Sequence, residues 1–158
     1  MKTLLTVLLL TVSSLALAER STIINGNILT QSEWIAGMPR LAHNYNKTLP
    51  SVLDDITVLE SLHADGILNV MHYNYTLDFK KLSVMAHGSV QAMSKDKMDE
   101  VKTELRSILT DKYCSSDDLS SWRDLGTMIF HTYYSIKGNQ TVYILVSPDL
   151  DCPLKGNL

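Results

Sequence analysis

Residues 67 to 79, ILNVMHYNYTLDF, alternate: Met71, Tyr73, Tyr75, Leu77 and Phe79 fall on one side of an extended chain, and His72, Asn74, Thr76 and Asp78 on the other. The first set predicts a buried face and the second a face toward water or a sheet edge. Upstream, DITVLESLHA (55 to 64) has strand composition and is followed by ADG, whose glycine permits a turn, so the two segments predict a hairpin. A second hairpin is predicted in TMIFHTYYSIKGNQTVYILVS (127 to 147), turning at Gly138 and Asn139. There Val142, Ile144 and Val146 share one face, and Tyr143 and Leu145 the other.

Elsewhere the period is helical. TQSEWIAGMPRLAHNYN (30 to 46) opens with Thr30 and Glu33 at capping-box spacing, while Gly37 and Pro39 predict a kink or break. Pro50 closes that region by forcing the preceding residue into an extended conformation. KDKMDEVKTELRSILTDKYC (95 to 114), with Ser94 as N-cap, carries Met98, Val101, Leu105, Ile108 and Leu109 as one apolar stripe. SSDDLSSWRDLG (115 to 126) predicts a shorter helix capped by Ser116 and stopped by Gly126, with Leu119, Trp122 and Leu125 on its buried side. Residues 19 to 27 show no sustained period, which predicts a loose N-terminal arm. The order helix, hairpin, helix pair, hairpin predicts an α+β fold: a four-stranded antiparallel sheet from two hairpins, with helices packed on one face.

The first residues change where this fold is expected to work. MKTLLTVLLLTVSSLALA combines Lys2, an apolar run from Leu4 to Val12, and Ala16 and Ala18 before Glu19. This is the pattern of a secretory signal peptide with an A-x-A cleavage site, so residues 1–18 are set apart from a single domain over 19–158. The apolar run falls short of the roughly 20 residues that span a bilayer. No cysteine stands near Ala18 to accept a lipid. The expected product is exported, periplasmic or extracellular, with no membrane insertion of the mature chain.

Charge narrows the partners. The chain holds 14 Lys and Arg against 17 Asp and Glu, a formal net charge of −3, one unit more negative without Lys2. Nucleic acid is therefore not an expected partner, because phosphate binding needs a basic footprint. Seven tyrosines against two phenylalanines suit half-buried strands and contact surfaces, where the ring packs and the hydroxyl stays wet. Cys114 and Cys152 are the two cysteines, and in an oxidising compartment they predict one structural disulfide. Closing that loop is worth about 4 kcal/mol by chain entropy.

Candidate chemistry is sparse. The five histidines, His43, His63, His72, His87 and His131, show no H-E-x-x-H or comparable metal spacing. The sharpest hypothesis brings His72 and His131 together across one sheet, with Asp78 nearby, as a metal or acid/base site. The alternative is two half-exposed histidines filling strand positions, since a one-residue slip separates the rings. G-x-S-x-G is absent, and Gly88-Ser89 lacks the second glycine. Adjacent acids at Asp54-Asp55 and Asp117-Asp118 point apart, and calcium-loop spacing is missing. No cofactor is implied. Asn46, Asn74 and Asn139 begin N-x-T triplets, which a bacterial source leaves bare. Trp34 and Trp122 read as core anchors.

LPSVLDDITVL, then YNYTL, a cysteine ending a helix at Cys114, LG and YY before a glycine turn, and SPDLDC at the end together resemble a family of small exported bacterial proteins of unassigned activity. The likeness covers roughly residues 40 to 152 and departs at His131, where that pattern has an aromatic residue. The terminal half, a cysteine followed by a helix, a glycine-bounded hairpin and a last cysteine, is similar to disulfide-bonded pilotins of type II secretion. That resemblance implies binding of a secretin peptide. The leading expectation is thus a non-enzymatic, protein- or peptide-binding module of the bacterial envelope. His72, Asn74, His131 and Tyr133 form its candidate surface. The alternatives are a small histidine-dependent envelope hydrolase or metal-binding protein, and a pilotin-like assembly factor.

Overall fold

Thr30 ends one element and begins another. Its side chain accepts from the Glu33 backbone N–H at 3.3 Å, and the Glu33 carboxylate accepts from the Thr30 backbone N–H at 3.0 Å, so the anticipated capping box is present. A computed structural model of the chain describes residues 19–87, 94–136 and 141–152. Helix α1 runs Gln31–Asn46 and continues through Gly37 and Pro39 without the expected break. Packing accounts for this: Met38 and Ala42, one turn apart, are buried against Leu62 and Met71 of the main sheet. That burial outweighs the one backbone hydrogen bond Pro39 cannot make.

The N-terminal arm is not loose over its strand-forming part. Ser21–Ile24 (β1) and Asn27–Thr30 (β2) form an antiparallel hairpin, with Asn25 and Gly26 at φ 51° and 80° in its turn. Asn-Gly is the pair that a two-residue turn with positive φ at both positions demands. Arg20 fastens this arm through two bonds to the Asp149 carboxylate, 2.9 and 2.7 Å. Its guanidinium lies over Gly126, where a Cβ would meet Nη1 at 2.6 Å and where φ is +70°. Glycine there both ends a helix and admits the arginine.

The main sheet has five strands rather than four and is mixed rather than antiparallel. They are Ser51–Val52 (β3), Thr57–Asp65 (β4), Val70–Leu77 (β5), Met128–Ser135 (β6) and Thr141–Val146 (β7), in the order β3-β4-β5-β6-β7. Both anticipated hairpin pairings occur, β4 with β5 and β6 with β7. The seam between them, β5 with β6, is parallel, with Tyr73 opposite His131 and Tyr75 opposite Tyr133. A parallel neighbour requires a crossover, and the helices between the hairpins supply it.

The crossover begins earlier than the alternation suggests. Asp78 does not continue the strand; its Oδ1 accepts from the backbone N–H groups of Lys80 and Lys81 and starts α2, Phe79–His87. Phe79 is buried, as its parity implied, but from a helix. Then come α3, Lys95–Ser115, capped by Ser94 Oγ, a 3-10 turn at Asp117–Leu119, and α4, Ser120–Asp124. Ser116 occupies the predicted cap position without a side-chain cap bond, while its carbonyl accepts from Arg123 at 2.6 Å. Ile108, expected in the α3 stripe, is 55% exposed.

Tyr75, Leu77, Ile129, Tyr133, Val142, Ile144 and Val146 form the inner side of the sheet, with Tyr113, Leu105 and Leu109 of α3 and Trp122 of α4 against them. Cys114 is bonded to Cys152, which follows the short helix α5, Pro148–Asp151, so the disulfide joins the end of α3 to the segment after β7. Arg106 reaches Asp151 at 2.7 Å across the same junction. Among the described residues, no helix is long and apolar enough to cross a membrane. The leader expected at 1–18, Gly88-Ser89 and the turn expected at Gly138-Asn139 lie outside the described residues.

Candidate functional site

The parallel seam divides the four proposed surface residues between two faces. His131 and Tyr133 lie on the inner face, 6% and 5% exposed, while His72 and Asn74 lie on the outer face. Because β5 and β6 align Tyr73 with His131, His72 is one residue out of step with His131 and points the other way. The His72–His131 site is thereby overturned. Asp78 belongs to the α2 cap.

Inside, Tyr73, Tyr75, His131 and Tyr133 stack. Tyr75 and Tyr133 have ring centres 4.6 Å apart at 11°, and the Tyr75 hydroxyl lies 3.1 Å from His131 Nδ1. Burial pushes the His131 imidazole down to about 4, with Lys112 adding to the effect, and pushes Tyr133 up to about 12. Tyr75 is raised further, again chiefly by burial. The arrangement is a neutral hydrogen-bonded pillar of the core.

A pH dependence follows from His131. The unfolded imidazole binds its proton near 6.5, the folded one only near 4. Between those values the unfolded state holds more protons, so stability falls as pH drops through that window. The loss assigned to His131 is about 3 kcal/mol, complete below pH 4 and absent above pH 6.5. Denaturant melts at pH 7 and pH 4 check this: His131→Gln should lose less stability than wild type by about that amount. Equal losses would assign the acid sensitivity elsewhere.

Outside, none of the helical residues in the two described core clusters covers the sheet. The helical members of both core clusters pack against the inner face alone. Across the outer face runs a band of rings, one from each of four strands. His63 and His72 have centres 5.9 Å apart, His72 and Phe130 5.3 Å, and Phe130 and Tyr143 5.9 Å. Leu145 completes the rung of His63, His72 and Phe130, and Tyr134 stands two residues along β6 from Thr132. Tyr143 is 54% exposed, Tyr134 44% and Leu145 38%. Asn74 Nδ2 donates to Ser61 Oγ at 3.0 Å on this face.

The two edges of the sheet differ. At β4, β3 covers Val58 and Leu59, and beyond it the Asn46 side chain pairs with Leu62 as another strand would, donating to its carbonyl and accepting from its N–H, both at 2.8 Å. At the other edge, β7 reads TVYILV, with no charge, proline or glycine. Natural edges usually carry such features against unwanted pairing. The alternation of β7 was visible in the sequence, but its place at the edge was not. A separate groove of about 330 Å³ lies along α1 between Leu29, Trp34 and Leu41, rimmed by Glu33 and Arg40. Among the described residues no group of three or more His, Cys, Asp or Glu side chains is placed to hold a metal ion.

No family profile matches the chain, and no curated protein does. Solved structures do share its fold. The pilotin EpsS of the Vibrio vulnificus type 2 secretion system aligns with a TM-score of 0.55 at 15% identity, over 78% of this chain and 97% of that one. A Pseudomonas aeruginosa protein classed as secreted aligns with a TM-score of 0.53 at 14% identity, over 73% of this chain and 90% of its own. At these identities what is shared is the architecture: this chain has the α+β fold found in a type 2 secretion pilotin and in a protein classed as secreted.

Proposed function

We propose that the chain is an exported, non-enzymatic module that binds a protein or peptide across the outer face of its sheet, ending at β7. The observation that carries this reading is the one-sided packing: helices cover the inner face, and the opposite face presents rings from four strands beside an uncharged edge. An extended segment laid along β7 gains main-chain hydrogen bonds, and the phenol of Tyr143 and the side chain of Leu145 meet its alternate residues. Removal of residues 1–18 as a leader and the Cys114–Cys152 bond suit an oxidising compartment outside the cytoplasm.

The test places a photo-crosslinker at Tyr143 in the exported protein. The reading expects one adduct of constant mass, lost when Leu145→Lys is added. Tyr143 and Leu145 are exposed, so lysine at either should change stability by no more than about 0.5 kcal/mol. Retention of the adduct in folded Leu145→Lys, or no adduct at all, would overturn it.

A pilotin-like role in secretin assembly is a second reading, supported by the architecture shared with EpsS. Fold likeness by itself transfers no activity. Under this reading the adduct is a secretin, and the same Leu145→Lys variant leaves secretin assembly impaired.

A further inference from the structure

We propose that His63 and His72 form a two-imidazole site for a divalent first-row transition-metal cation on the outer face of the sheet. The two residues are direct partners in the antiparallel β4–β5 ladder, and their ring centres lie 5.9 Å apart. With metal–nitrogen bonds of about 2.1 Å, two imidazoles sharing one ion have centres roughly 5 to 6 Å apart, so the pair closes on an ion by side-chain rotation alone. The backbone supplies the spacing, because Cβ atoms of directly opposed residues stand about 5 Å apart.

Two neighbours favour the cation. Phe130 packs on the second side of His72, ring centres 5.3 Å apart, and restrains that imidazole. Asp65, two residues beyond His63 on β4, interacts electrostatically with both rings. Its Oδ1 is held by the backbone N–H groups of Ile67 and Leu68 at 2.9 and 3.0 Å, which fixes a negative charge beside the pair. Two nitrogens with water in the remaining positions suit Cu(II), Ni(II) or Zn(II), and the general affinity order places Cu(II) first.

The site does not depend on the peptide-binding reading, and a lysine at Leu145 leaves both ligands in place. The test titrates the full-length protein, purified without an affinity tag, with Cu(II) alone and follows heat and electron paramagnetic resonance. One ion per chain is expected, with splitting from two imidazole nitrogens. His63→Ala and His72→Ala should each weaken binding at least tenfold, while His43→Ala, on α1, leaves it unchanged. In wild type, Cu(II) should also shield His63 and His72 from diethyl pyrocarbonate, a readout that needs no variant. Unchanged affinity in both His63→Ala and His72→Ala, or equal modification with and without the ion, would overturn the site.

Discussion

Tyr75→Ala is expected to destabilise the protein by about 3 to 5 kcal/mol, the range for removing a large buried ring. The ring is 7% exposed at the centre of the sheet, stacked on Tyr133 with centres 4.6 Å apart and flanked by His131 at 5.8 Å. Truncation opens a cavity between strands that α3 and α4 cover, and it removes the hydroxyl beside His131 Nδ1, leaving a buried polar atom without that partner. His72→Ala, three residues away on the opposite face, should cost roughly 0.5 kcal/mol. The pair is measured by denaturant melts, with a lower midpoint and an unchanged slope for Tyr75→Ala. Similar small costs for both would mean that the faces of β5 are assigned the wrong way round.

Replacing Cys114 and Cys152 together by alanine, or reducing the bond, should lower stability by about 4 kcal/mol, within the usual 2 to 5. The loop it closes spans 38 residues and includes α4, β6 and β7, the parallel seam's second half and the edge strand. Without the bond the unfolded chain gains freedom over that whole stretch, while the folded junction keeps the Arg106–Asp151 pair and the packing of α3 against β7. That pair, exposed on its arginine side, contributes about 1 kcal/mol. The check is a guanidinium melt with and without reductant: wild type should shift, and the double-alanine variant should already sit at the reduced midpoint. A reduced protein with an unmoved midpoint would remove the bond from the account of stability.

Much of this fold follows from local rules. The Thr30–Glu33 capping box, the Ser94 cap, the stripe of α3 apart from Ile108 and the alternation of Met71 to Leu77 depend on residues within a few positions of one another, and stand in the structure. The Asn25-Gly26 turn was equally readable, as the strongest two-residue hairpin signal, although its strands are only four residues long. Asp78 was ambiguous, since one aspartate after an alternating run can be the next strand residue or the first helix cap. The α2 side of that choice wins because Phe79 and Leu82 reach the core from a helix.

The candidate surface was half legible. Parity placed His72 and Asn74 on the polar side of β5, and Tyr143 and Leu145 together on β7. It could not relate the two hairpins, because a period of two is unchanged by reversing a strand's neighbour or shifting it by one. His131 and Tyr133 therefore looked like outer residues in the sequence and are core residues in the fold. His63 was one histidine among five until the ladder set it opposite His72.

By itself, the sequence determined α1, α3 and the four strands of the two hairpins, the buried side of β5, the two cysteines available for one bond and the lack of a basic excess, because each is a property of neighbours along the chain or of composition. Only the tertiary structure decided the parallel seam, the place of β7 at the sheet edge, the cover over Val58, Leu59 and Leu62 of β4 and the ring band, because each depends on which strands lie side by side. That choice is made by helices packing over one face of the whole sheet, an interaction between residues tens of positions apart.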